Sequence, residues 1–173
     1  MRRLVLLLLI TVSQLLFVQV SCADSLTVVQ GRILFASHNG EYKELFRTSS
    51  PFYGYGWLDE DEVFLAYQPD GEAEAFAVIE TFNLRLGTKK KITVIGGAGE
   101  SHFASNSKLR EIIFNDSEGL RLMSIEKNGK HKISTILGDN SVFAPFWIDE
   151  DTVGYLKNNK LEKVTIKRKC FKP

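Results

Sequence analysis

Trp57-Leu58-Asp59-Glu60-Asp61-Glu62-Val63 and Trp147-Ile148-Asp149-Glu150-Asp151-Thr152-Val153 are two copies of one phrase, identical at five of seven positions and 90 residues apart. The match extends upstream, where Tyr53 aligns with Phe143 and Gly54 with Ala144 at the same offset. Ninety is twice 45, and about 40–45 residues is the length of one four-stranded propeller sheet. A middle copy is therefore expected near residue 102. Phe103-Ala104-Ser105-Asn106-Ser107-Lys108-Leu109, followed by Ile112-Ile113-Phe114, fills that place without the tryptophan or the acids.

Around these phrases the chain reads as strands. Ile33 to Ala36, Val63 to Tyr67, Phe76 to Ile79, Ile92 to Ile95, Leu120 to Ile125, Ile133 to Leu137 and Leu161 to Ile166 are short apolar-rich runs. Many are rich in β-branched and aromatic residues, which suit a pleated, half-buried surface. Between runs stand turn clusters such as His38-Asn39-Gly40, Pro69-Asp70-Gly71 and Asn128-Gly129, whose Asn and Gly supply the positive φ of tight hairpins. No window sustains a helical stripe. About fourteen strand-like runs result, and the class is all-β and antiparallel. The units fall at residues 51–97, 98–140 and 141–166, with a partial one at 25–50.

An aromatic, a short acidic turn and an aliphatic strand such as Val63-Phe64-Leu65-Ala66-Tyr67, in that order, resemble the repeat of the TolB-type propellers. Those repeats read Trp-Ser-Pro-Asp-Gly before the strand, whereas here the turn is Leu58-Asp59-Glu60-Asp61. The resemblance covers residues 31–166 and implies a periplasmic or secreted interaction scaffold. It carries no catalytic residue over, because the repeat is structural. Fourteen strands make about three and a half blades, against the about four to eight of closed propellers. The expectation is a small or incomplete propeller of about four blades, with a two-sheet β-sandwich as the alternative. Closure is expected either through residues 25–48 sharing a blade with the last segment, or through a second copy or a partner chain completing a half-ring.

The first 23 residues read as a secretory leader. Met1-Arg2-Arg3 is a positive start, Leu4 to Val20 is nearly all apolar, and Ser21 and Ala23 are small residues at −3 and −1 of a cut before Asp24. Residues 24–166 then form the β domain and 167–173 a basic tail. The destination is secreted or periplasmic, with membrane attachment only through an uncleaved leader or a lipid on Cys22. Removing the leader leaves one cysteine, Cys170, so no internal disulfide is expected.

Composition excludes several classes. In 173 residues, 44% are hydrophobic, 25% charged and 11% aromatic, which is not the balance of a disordered or collagen-like chain. A net charge of +1 supplies no field for nucleic acid. The candidate ligand-binding residues are Tyr53, Tyr55 and Trp57, which alternate and are expected on one strand face, with Phe143 and Trp147 at equivalent positions. They read either as a stacking platform for sugars or peptides, or as packing between neighbouring sheets.

The triplets Asp59-Glu60-Asp61 and Asp149-Glu150-Asp151 lack the spacing of a calcium loop, so no metal is expected there. His38, His102 and His131 lack the spacing of zinc ligands. No G-x-S-x-G precedes Ser101, and Gly96-Gly97-Ala98-Gly99 reads as a link between sheets. Lys89-Lys90-Lys91 is expected to guard an edge strand. Asn115-Asp116-Ser117 is a glycosylation sequon on a turn. The expected role is an exported, non-enzymatic protein-interaction scaffold without a cofactor, its partner a protein or a second copy. The alternative is a carbohydrate-binding module.

Overall fold

The computed structural model describes residues 25–38, 41–69, 76–97 and 102–168. The leader, Cys170, Ser101 and the Ala98-Gly99 part of the glycine run lie outside the described residues. All regular structure described is β. In chain order the strands are β1 (Ser25–Val29), β2 (Ile33–His38), β3 (Glu41–Arg47), β4 (Phe52–Trp57), β5 (Glu62–Tyr67), β6 (Phe76–Asn83) and β7 (Thr88–Gly96). They continue as β8 (Phe103–Asn106), β9 (Glu111–Asp116), β10 (Gly119–Ile125), β11 (His131–Leu137), β12 (Val142–Trp147), β13 (Thr152–Lys157) and β14 (Lys160–Thr165).

Consecutive strands pair as antiparallel meanders: β1-β2-β3, β4 to β7, β8 to β11, and β12-β13-β14. The two four-stranded meanders join into one eight-stranded sheet where β4 runs parallel to β8, with a single paired position, Gly54 opposite Phe103. That junction is close because β4 carries glycine there. A Cβ on Gly54 would lie 2.5 Å from the Phe103 Cβ and 2.6 Å from its carbonyl oxygen. The four meanders therefore follow the unit boundaries expected from the repeat.

Three cores lie between successive units. Leu34, Ala36, Leu45 and Phe46 of the first pack on Val63, Leu65 and Phe82 of the second. The opposite face of the second, with Phe64, Ala66 and Ile79, packs on Ile112, Phe114 and Met123 of the third. The opposite face of the third, with Ile113, Leu120 and Leu122, packs on Val142, Val153 and Tyr155 of the fourth. Each interior sheet is thus buried on both faces, which explains why β5 and β9 read as unbroken apolar runs instead of alternating ones.

The direction of the first unit corrects one expectation. Phe52, at the start of β4, donates its N–H to Gly31 in the β1–β2 turn at 2.9 Å. That turn therefore sits at the end where β4 begins, so β1 runs opposite to β4 and corresponds to β5, β9 and β13. The first unit supplies the second, third and fourth strands of a four-stranded pattern, while β12-β13-β14 supply the first, second and third. Both contain the middle two strands, so residues 25–48 and the last segment cannot merge into one sheet. Accordingly, no strand of one pairs with a strand of the other.

Candidate functional site

The repeated phrase builds the same corner twice. Trp57 ends β4 and Trp147 ends β12, each opposite a valine, Val63 and Val153. Leu58 donates its N–H to the Glu62 carbonyl at 2.7 Å, and Ile148 does the same to Thr152 at 2.9 Å. The Asp59 carboxylate accepts the N–H groups of Asp61 and Glu62 at 2.9 Å, and Asp149 accepts those of Asp151 and Thr152 at 2.9 and 2.7 Å. These are Asx turns, a conformation that Asp closes with its own side chain. The third strand of each unit then ties back, Leu84 N–H to Asp61 at 2.8 Å and Ile166 N–H to Asp151 at 2.7 Å. In the middle copy Ile125 N–H bonds Arg110 at 3.0 Å, so Arg110 stands where the other copies have aspartate.

That exchange makes a clasp between units. Arg110 pairs with Asp59 and, at 2.7 Å, with Glu62 of the preceding unit. Arg168 repeats the device one unit on, reaching Glu111 at 2.7 Å and Asp151 at 2.6 Å. The Glu111 carboxylate raises the Arg168 guanidinium above its ordinary value, with Asp151 adding to the effect. The arginine that answers Asp59 and Glu62 lies 51 and 48 positions away, so no local pattern in the sequence marks the pairing.

The tryptophans differ from their middle counterpart for a steric reason. Ser105 pairs with Ile112 as Trp57 pairs with Val63, and its hydroxyl sits where a Cβ on Gly56 would fall. Trp57 packs in the core between the first and second units, and Trp147 in the core between the third and fourth, where its indole N–H donates to the Ala104 carbonyl at 3.1 Å.

The expectation that Tyr53, Tyr55 and Trp57 share a face is corrected by a β-bulge. Phe52 pairs with Tyr67 and Gly54 with Ala66, so Tyr53 is an extra residue and the alternation shifts. Tyr53 packs on the core facing the third unit, whereas Trp57 faces the first. Tyr55 shares Trp57's face and is 40% exposed, and among the described residues no strand of the first unit lies over it. A second bulge between Phe143 and Phe146 likewise puts Phe143 and Trp147 on opposite faces.

At the end of the molecule opposite the acidic corners is an open cleft of about 840 Å³. It crosses three units and brings Tyr53 and Phe143 together with Phe52, His102, Asn115, Asp116 and Asn140. Tyr53 donates its hydroxyl to Gln68 at 2.8 Å, and Asn115 accepts the His102 N–H at 3.0 Å. Burial raises the Asp116 carboxyl above its ordinary value, against the N–H of Glu118 and the Arg121 guanidinium 3.5 Å away. Of the candidate residues, the fold gathers Tyr53 and Phe143 here and leaves Tyr55, Trp57 and Trp147 outside. The sequon residues Asn115 and Ser117 line this cleft. Among the described residues no group of three or more His, Cys, Asp and Glu is placed to hold a metal ion.

No family model matches this sequence, and no curated protein matches it. Among solved structures the chain is similar to the β-propeller-like fold of a nidogen/laminin complex, at 14% identity and a TM-score of 0.53, over 82% of this chain. The chain spans 57% of the length of that structure. An uncharacterized protein from Listeria monocytogenes aligns at 12% identity and a TM-score of 0.48, over 83% of this chain and 46% of that one. The chain thus has a β-propeller-like, all-β fold.

Proposed function

We propose that this chain is an exported, non-enzymatic interaction scaffold, an incomplete propeller of TolB type that engages a protein partner at the cleft of Tyr53 and Phe143. The observation that carries the reading is that cleft's composition. Phe52, Tyr53 and Phe143 present apolar area beside the hydrogen-bonding groups of His102, Asn115 and Asn140, all on loops and strand ends held by rigid sheets. Aromatic rings beside adaptable amides are the usual anchors of a protein interface. The nidogen neighbour is itself part of a protein complex, which supports the same reading.

The test is in vivo photo-crosslinking from position 140 of the exported chain, followed by identification of the adduct. A discrete protein adduct that weakens in Tyr53→Ala and Phe143→Ala is expected, and crosslinking insensitive to both changes would remove the cleft from the interface. Export is checked separately by the mature mass, which should begin at Asp24. The same amides and Asp116 beside aromatic rings also suit sugar hydroxyls. Saturable quenching of tryptophan fluorescence by a glycan, with no protein adduct, would favour the carbohydrate-binding alternative.

A further inference from the structure

We propose that two copies of this chain dock head to tail, the apolar face of β12–β14 in one packing on the outward face of β1–β3 in the other. The proposal rests on the propeller reading and names a partner for the two faces left uncovered among the described residues. Each interior junction joins the same two kinds of face. Residues at the third position of the second strand, Phe64 and Ile113, are fully buried under the next unit. In the fourth unit that position is Gly154, paired with Phe146, which lies over it. The second unit has the reverse arrangement, Gly56 paired with Phe64. The bulk of the junction is therefore kept, moved across one strand. Yet Phe146 is 40% exposed, Phe143 36% and Leu161 66%, with Leu156 between them on the same face. Among the described residues nothing covers this face.

The chain carries a complement at its other end. On β1–β3 the face turned away from Leu34 and Ala36 carries Thr27, Val29, Ile33 and Phe35 by register. Val29 is exposed there, and Ile33 and Phe35 are half-buried. Glu44 on the second face is already paired with Arg47 of that same face at 2.6 Å, so the match between the two faces is an apolar one. A contact between two different faces either closes a ring or runs on into a filament. Two copies bring the four described units to eight, within the about four to eight of closed propellers.

The experiment is the solution mass of the full chain produced with its own leader, together with Phe146→Asp and Phe35→Asp. The wild type is expected to be a dimer at micromolar concentration and each variant a monomer with unchanged far-UV circular dichroism. Mixing the two variants should restore dimers, since one of the two junctions then pairs two wild-type faces. A face-to-face contact between identical surfaces gives no such rescue and would overturn the proposal. So would a wild-type monomer, including one in which Phe146→Asp lowers Tm because another part of the same chain covers the face. Scattering from the monomer separates the underlying reading: an arc of four sheets keeps the propeller while losing the dimer, and a two-layer sandwich loses both.

Discussion

Gly54 and Gly56 illustrate how single residues hold the units together. A side chain on Gly54 meets the backbone of Phe103, which cannot yield without opening the β4–β8 junction. Gly54→Ala is expected to cost about 3 kcal/mol or more in chemical unfolding, the scale of an overpacked core. At Gly56 the obstacle is only the Ser105 side chain. Gly56→Ala should therefore be damaging alone and largely rescued by Ser105→Gly, a coupling that a double-mutant cycle measures directly. Arg110 works by charge. Arg110→Met leaves Asp59 and Glu62 without their shared cation, an expected loss of about 2 kcal/mol from broken charge-assisted bonds. Gly54 was visible in the sequence as an aligned position, but the function of neither glycine was, because their neighbours are about 50 residues away.

At the scale of the element, two kinds of turn respond differently to acid. The Asp149 carboxyl is held below its ordinary value, chiefly by the Asp151 N–H, so its contribution is present above the ordinary carboxylate range and is lost as pH falls below that range through the lowered value. Asp116 is opposite in sign. Its raised value means that the ionised form is disfavoured on folding, so it weakens the fold at neutral pH, and that penalty lifts on acidification. Asp116→Asn is expected to raise Tm at neutral pH, with the gain vanishing near about pH 3, below the ordinary aspartate value. The bulges belong to this scale too. Strand positions at Phe52–Trp57 and Val142–Trp147 were readable from turn chemistry and repeat phase, whereas an inserted residue reverses the facing of side chains with no mark in a period-two pattern.

For the whole molecule, the contrast between Phe64 and Phe146 is the measure of where the fold is complete. Phe64→Ala should cost about 3–5 kcal/mol, the usual loss for a buried phenylalanine. Phe146→Ala should leave the monomer nearly unchanged and act on association instead, which unfolding and sedimentation together would distinguish. The lysine run of β7 fits the same outline. It lies on the edge strand of the eight-stranded sheet, with Lys89 4.7 Å from the Phe46 ring centre and Lys90 bonded to the Asn128 carbonyl, and charged edges resist pairing with further strands.

The amino-acid sequence by itself determined the all-β class, the strand and turn succession and the unit boundaries, because hairpin turns and strand propensity act between neighbours and a duplicated phrase reveals its own period. Only the tertiary structure decided how the described strands of the first and last units correspond to those of the middle two, which face each aromatic takes, and which arginine answers which acid. Those depend on strand direction and on contacts between units, where residues far apart in the chain meet and no local signal marks the meeting.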